Sequence, residues 1–157
     1  MVEASDASVP NFISPNFPDG TIYTNKVASG SLFTCSDILP STCEINIKIN
    51  KITVDGLVII GVSNKPFKTS PYYLGEIEGE IGFGSSNFIS VNGVTLQDVG
   101  LGYSSGDIFT LRVEYGEVNY AVNDRWYEAK FSLEDKSSDL YFAVNIFSIG
   151  DCIEIIL

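Results

Sequence analysis

Apolar and polar residues alternate along most of this chain, and this period of two constrains the fold more than any other feature. In INIKI (residues 45–49) the three isoleucines share one face, and IFTLRVEY (residues 108–115) alternates in the same way. Successive side chains of a strand point to opposite faces, so each segment predicts a half-buried β-strand. Further strands are predicted for LVIIGV, FISVNGVTL, NYAV, LYFAVNIF and CIEIIL, with an Asn-Gly hairpin turn inside the second of these.

Helical spacing is weak throughout the sequence. No window of about eleven residues keeps apolar residues at i, i+3, i+4 and i+7 with helix caps, so at most a short helical turn is expected, near Ser36 to Leu39. Short strands separated by Gly, Asn, Asp and Pro favour an all-β fold, a two-sheet antiparallel β-sandwich, over a barrel. Residues 1–18, which contain Pro10, Pro15 and Pro18, are expected to form an extended arm, and residues 19–157 a single domain.

Charge limits the classes of partner. Nine Lys and Arg residues face twenty Asp and Glu residues, which gives a formal net charge of -11, and the basic residues are scattered singly. Nucleic acid and anionic membranes would be repelled, so neither is expected as a partner. The start, MVEASDASVPNF, lacks the pattern of a signal peptide, and no run of about eighteen apolar residues occurs. The expected location is the cytoplasm or a larger assembly.

Three cysteines are an odd count that fits no disulfide framework or metal-finger spacing, so reduced thiols are expected. A bridge between Cys35 and Cys43 across a short loop stays open as an alternative. Cys152 lies in the apolar segment DCIEIIL without a basic neighbour, and is expected to fill core space as an inert thiol.

Four segments follow one another in an order typical of a known family. They are EINIKINKITVDGLVIIGV (44–62), IGFGSSNFISVNG (81–93), YSSGDIFTLRVEYGEVNYAVND (103–124) and LYFAVNIF (140–147). Together they resemble the SPRY domain from about residue 19 to the end of the chain. The resemblance implies a bent β-sandwich that binds a partner on a surface made of loops, with no catalysis of its own. In the third segment Gly106 permits a turn and Asp107 can accept hydrogen bonds from backbone amides, while Asp124 stands where the family usually has glycine.

Enzymatic functions find little support in the residues. The chain has no histidine, which removes Ser-His-Asp and Cys-His triads and the commonest metal ligand. Glu76, Glu78 and Glu80 of GEIEGE would share one face of a strand, like the paired carboxylates of sandwich-fold glycosidases. A solvent-facing acidic rim is favoured over this, and weak cation binding is left open. We therefore expect no catalytic residue, no metal site and no cofactor.

The first group of candidate binding residues lies around two prolines, Pro66 and Pro71. Phe67, Tyr72 and Tyr73 occur in a segment too broken for a strand, and exposed rings in loops are frequent contact residues. The alternative is that these rings fold back as a satellite core.

The second group, Arg125, Trp126 and Tyr127, follows the end of a predicted strand. Trp and Arg are enriched among binding hot spots, which makes this loop edge a candidate contact surface. In the alternative, Trp126 packs inward and Arg125 pairs with a nearby acid.

These observations lead to one main functional hypothesis. The chain is predicted to be a non-catalytic binding module that recognises a protein or a short peptide through its loop surface. The alternative is a structural or receptor-binding component of a viral or surface assembly that recognises glycans by aromatic stacking. The arm at residues 1–18 is expected to contribute to assembly.

Overall fold

The computed structural model describes residues 22–26, 31–34, 37–66 and 73–156. All its regular elements are strands, and every strand pair is antiparallel. The predicted all-β, two-sheet sandwich is confirmed. The strands are β1 (Ile22–Thr24), β2 (Ser31–Thr34), β3 (Thr42–Lys51), β4 (Val58–Ser63), β5 (Glu80–Gly84), β6 (Phe88–Val91), β7 (Val94–Gln97), β8 (Ile108–Glu114), β9 (Glu117–Val122), β10 (Arg125–Trp126), β11 (Phe131–Ser132), β12 (Tyr141–Ile146) and β13 (Cys152–Ile156).

The strands form two sheets. Sheet A has the order β1-β13-β3-β8-β9-β10, with β11 also paired to β9, and sheet B has the order β2-β12-β4-β5-β6-β7. The first described strand therefore pairs with the last, with Ile22 opposite Glu154. Within the described residues there is no helix, and so none long and apolar enough to cross a membrane.

The core lies between the sheets and follows the alternation seen in the sequence. Ile45, Ile47 and Ile49 of β3 are fully buried, while Lys48 between them is exposed. Aromatic rings fill the centre, where Phe83 of sheet B stacks on Tyr120 of sheet A with ring centroids 4.2 Å apart. Burial of these apolar faces against each other is the main stabilising contribution of a sandwich.

Sheet B is also covered on its outer face, which explains why β4 is buried at every position. The connection between β4 and β5 brings Leu74 onto this face, where it packs with Ile59, Phe88 and Ala143. Gly82 makes room for it, since a Cβ at that position would lie 2.3 Å from the carbonyl oxygen of Leu74. A strand covered on both faces has a continuous apolar sequence, as LVIIGV does.

Two hairpin turns share one backbone conformation. Asn92 and Gly93 join β6 to β7 with φ of 50° and 86°, which confirms the Asn-Gly hairpin prediction. Tyr115 and Gly116 join β8 to β9 with φ of 47° and 81°. Left-handed φ values at both positions are typical of the type I′ turn.

Several sequence predictions concern the ends and the cysteines. The arm at residues 1–18 and Cys35 lie outside the described residues, as does Ser36 of the suggested helical turn, and residues 37–40 form no helix. Cys43 is buried and is a free thiol. The prediction that Cys152 fills core space is wrong: it is half-buried, because Ile153 and Ile155 are the residues of β13 that point inward.

Candidate partner-binding surface

The sandwich has two ends, and each takes its name from a residue that lies there, Arg125 or Tyr115. At the Arg125 end lie the loops at 52–57, 85–87, 98–107, 123–124 and 147–151, because β4 and β8 begin there and β12 ends there. Backbone hydrogen bonds connect these loops, such as the one from the Phe147 N–H to the Leu57 oxygen (3.1 Å). At the Tyr115 end, β8 turns into β9 and β12 begins.

Tyr73 is held by a rigid backbone at the outer face of sheet B. The next residue, Leu74, is fully buried, and its N–H donates to Oδ1 of Asn145 (2.6 Å). The N–H of Gly75 donates to Oε1 of Glu80, which is buried in β5 (2.9 Å). These two anchors fix the direction in which the chain presents Tyr73.

The ring of Tyr73 contacts Phe147 edge-on, with ring centroids 4.7 Å apart. Tyr73 is 42% exposed, and Phe147 is half-buried and packs with Leu57 on the outer apolar cluster of sheet B. Phe147 is absent from the sequence prediction, because it reads as the end of an alternating strand. The only sign of its role in the sequence is that Phe147 is a large apolar residue that directly follows the inward-facing Val144 and Ile146.

Arg125 borders a cavity of about 440 Å³ at the Arg125 end. One wall is a hydrogen-bonded turn, in which Asp107 accepts from the Ser104 N–H (2.8 Å) and from Nδ2 of Asn123 (2.9 Å). This confirms the role expected for Asp107. Arg125 is exposed, so its guanidinium is available to a carboxylate or a carbonyl group of a ligand. The cavity is lined by Asn87, Gly100, Leu101, Gly102, Asp107, Val122, Asn123 and Arg125.

Trp126 lies on the outer face of sheet A, in the short strand β10, where it pairs with Ala121. The guanidinium of Arg112 sits over its ring, 3.8 Å from the centroid, and Arg112 also forms an ion pair with Glu44 (2.7 Å). Trp126 is half-buried by this contact and is absent from the core. Its predicted role in binding stays a prediction.

Tyr127 packs against the core and not toward solvent. Its ring stacks near Tyr120 and Phe131, at centroid distances of 5.7 and 6.0 Å. The predicted residues that the structure describes therefore separate into three surroundings. Tyr73 lies at the outer face of sheet B, Arg125 and Trp126 lie in strand β10 of sheet A, and Tyr127 lies at the margin of the core. Phe67 and Tyr72 lie outside the described residues.

The acidic segment GEIEGE does not place its carboxylates on one strand face, and that expectation is wrong. β5 begins only at Glu80, and the positive φ values of Gly75 and Gly79 turn the chain before it. Glu76 and Glu78 are exposed, whereas Glu80 is buried and hydrogen-bonded. Among the described residues, no three His, Cys, Asp or Glu side chains are grouped to hold a metal ion.

The buried thiol of Cys43 is unreactive as a nucleophile at neutral pH. Burial, together with the nearby charge of Glu44, raises the pKa of Cys43 from 9.0 to about 12. The thiol is therefore protonated near pH 7, and a protonated thiol is a poor nucleophile.

Similarity to solved structures was found at the level of the fold. A human SPRY domain superimposes with a TM-score of 0.72 at 15% sequence identity, over 88% of this chain and 92% of that chain. The chain adopts a SPRY-like fold. The SPRY domain of human HERC1 matches with a TM-score of 0.71 at 18% identity, over 88% and 89% of the two chains. The TRIM65 PSpry domain matches with a TM-score of 0.58 at 13% identity, over 80% and 70%.

No family model matches the sequence, and no curated protein matches it either. The SPRY-like fold nevertheless contains the four segments that carried the resemblance. Residues 44–62 span β3 and β4, residues 81–93 span β5 and β6, residues 103–124 span β8 and β9, and residues 140–147 include β12. Gly106 has a φ of +93°, as expected for the turn before β8.

Proposed function

We propose that this SPRY-like chain is a non-catalytic binding module that recognises a peptide segment of a protein partner at Tyr73 and Phe147, where the outer face of sheet B meets the Arg125 end. The observation that carries the proposal is the edge-on contact between exposed Tyr73 and half-buried Phe147, presented by the buried anchor at Leu74. Tyrosine offers a large contact area with few rotatable bonds, so it contributes to binding at a low cost in conformational entropy.

The rigid anchor strengthens this proposal. Two hydrogen bonds, from Leu74 to Asn145 and from Gly75 to Glu80, hold the backbone that follows Tyr73. A side chain that is already in place loses little freedom when a ligand arrives, so more of the contact energy appears as affinity. The cavity beside Arg125, at the same end, has room for a side chain or a polar group of the same ligand.

The test begins with random dodecapeptides displayed on phage and selected on the intact chain. For peptides bound at this surface, Tyr73→Ala should weaken binding by about 2 kcal/mol, roughly thirtyfold, as is typical of a hot-spot tyrosine. Tyr73→Phe serves as the matched control, because it keeps the ring that contacts Phe147. The readout is the dissociation constant by calorimetry, with the melting temperature as a check on folding.

Three results would overturn the proposal. They are a failure to enrich any peptide, unchanged affinity of all selected peptides for Tyr73→Ala, and binding of glycans but not peptides on an array. The last result would favour the glycan-binding alternative.

Charge supports a basic partner. With a net charge of -11, association with a basic peptide should be fast at low salt and slow down as ions screen the field. Stopped-flow association rates between low and physiological ionic strength test this. A rate independent of salt would contradict a basic ligand while leaving peptide binding itself intact.

A further inference from the structure

A second cavity, of about 320 Å³, lies at the Tyr115 end, on the opposite side of the sandwich from Arg125. Its floor is apolar, formed by Leu39, Val113 and Leu140, all of which are buried. Its rim carries two large exposed apolar residues, Ile38 (54% exposed) and Tyr115 (72% exposed). Apolar surface on both the floor and the rim of one cavity suits an apolar side chain from a ligand.

Three segments are tied together to build this cavity. The N–H of Leu39 donates to the oxygen of Leu140 (2.8 Å), and the N–H of Tyr115 donates to the oxygen of Ser41 (2.8 Å). Gly116 fits closely against the segment that contains Lys136, since a Cβ at position 116 would lie 2.5 Å from the backbone oxygen of Lys136. These contacts hold together the three segments that line the cavity.

Tyr115 is an unusual residue for its position. Its φ of 47° is left-handed, a conformation that Asn and Gly adopt readily and bulky residues rarely. The equivalent turn between β6 and β7 has Asn92 there, with a φ of 50°. The β8–β9 turn therefore carries an aromatic ring that the turn geometry does not favour and that burial does not explain.

The surroundings of the cavity are acidic. Asp37, Asp135 and Asp139 are exposed near it, against the single exposed cation of its lining, Lys136. Asp135 accepts hydrogen bonds from the N–H (2.9 Å) and Oγ (2.6 Å) of Ser137, which lower the pKa of its carboxyl group. These charges favour a basic ligand, and they disfavour a second copy of this chain, which would bring two acidic rims together.

We propose that the cavity at the Tyr115 end is a second peptide-binding site, which takes an apolar side chain flanked by lysine or arginine. Ile38 and Tyr115 enclose the apolar side chain above the floor of Leu39, Val113 and Leu140. The surrounding aspartates attract the basic flanks. This site is independent of the surface at Tyr73, and a chain that holds two sites can bridge two peptide segments.

The experiment sorts the phage-selected dodecapeptides with two variants of the intact chain. Peptides that bind at the cavity should lose at least about tenfold in affinity for Tyr115→Asn and keep full affinity for Tyr73→Ala. They should carry an apolar residue next to lysine or arginine. Tyr115→Asn is a strong test because asparagine suits the left-handed turn, so its melting temperature should be equal or higher while the ring is lost.

A second variant, Ile38→Ser, removes the other rim residue without touching the turn and should weaken the same peptides. The proposal is overturned if no selected peptide loses affinity for both Tyr115→Asn and Ile38→Ser while it keeps full affinity for Tyr73→Ala. It is equally overturned if the peptides that show this pattern are acidic. Sedimentation gives a further test. The proposal is also overturned if the parent chain sediments as a dimer and the Tyr115→Asn variant sediments as a monomer. Peptides that respond only to Tyr73→Ala would reject the second site and support the first.

Discussion

The two ends of the sandwich are built by different means. At the Arg125 end, polar side chains hold the loops: buried Asp151 accepts from the backbone of Thr53, and the hydroxyl of Tyr103 lies 2.6 Å from the oxygen of Phe83. At the Tyr115 end, an open cavity combines the apolar residues Ile38, Leu39, Val113, Tyr115 and Leu140 with serines, Lys136 and Asp139. A buried polar network requires one geometry, because each group left without its partner is costly, whereas the exposed residues that line an open cavity carry no such cost. We therefore expect the first end to be sensitive to substitution in folding and the second mainly in binding.

High pH should have the largest effect, and it acts at both ends. Burial raises the pKa of Cys43, at the Tyr115 end, to about 12, and raises the pKa of Tyr103, at the Arg125 end, well above 10.0. Because the unfolded chain releases these protons first, stability is complete below pH 9 and falls as pH rises toward 12. Each group contributes a slope of about 1.4 kcal/mol per pH unit above its unfolded pKa.

Urea unfolding between pH 8 and 11 measures this slope. Cys43→Ala should flatten the curve from about pH 9, and Tyr103→Phe only from about pH 10. Identical slopes in the parent chain and both variants would show that neither proton is held by the fold.

Asp151→Ala should cost about 2–3 kcal/mol of unfolding free energy, because the buried carboxylate accepts from the N–H of Thr53 at 3.0 and 3.1 Å and from its hydroxyl at 3.3 Å. Asp151→Asn keeps one acceptor and should cost less. Chemical denaturation gives both values. A loss within experimental error for Asp151→Ala would remove the basis for treating the Arg125 end as the polar one.

Tyr103→Phe should cost about 1 kcal/mol at neutral pH, since it removes the hydroxyl and leaves the oxygens of Val58 and Phe83 without that donor. The ring, and with it the contact to Phe109, is retained. Thermal unfolding by calorimetry measures the difference. A change in the ring contacts, visible in the near-UV circular dichroism, would make the variant uninformative as a hydrogen-bond test and would call for the crystal structure of the variant.

The smallest expected effect has the opposite sign. Tyr115→Asn should stabilise the chain by about 0.5–1 kcal/mol, because asparagine tolerates the left-handed φ of 47° better than tyrosine. Asn92→Tyr, at the matching turn, should lose a similar amount. Equal stabilities of all three chains would show that these turns tolerate either residue.

The sequence predicted the sheets better than it predicted the site, for a physical reason. Alternation reports which face of a strand is buried, and it identified β3, β8 and β12, while Asn92-Gly93 identified a turn through its backbone conformation. Alternation fails where turns interrupt it, which is why Glu76 and Glu78 were placed on a strand. It also does not tell which face is the inner one where apolar residues occur on both faces of a strand, as in β13, where Cys152 is on the half-buried face and Ile153 on the buried face.

The candidate surfaces depend on contacts between distant segments. Tyr73 and Phe147 are far apart in the sequence, and they meet where the N–H of Leu74 donates to Asn145 of β12. Residue type alone identified Tyr73 as a ring in a loop, but it could not separate Tyr127, which packs on Tyr120, from Arg125, which is exposed. Ile38 and Tyr115 were missed because each stands alone in its segment.

The position of β3 in sheet A has a consequence for synthesis on the ribosome. β3 lies in sheet A between β13 and β8, so both of its hydrogen-bonded neighbours come from much later in the chain. Until β8 emerges, neither edge of β3 has a strand beside it, and until β13 emerges one of its edges stays unpaired. Such long-range pairing slows folding, and it prolongs the time during which an unpaired strand edge is exposed to other chains. We therefore expect this edge of β3 to stay open to pairing with other chains until β13 has been synthesised.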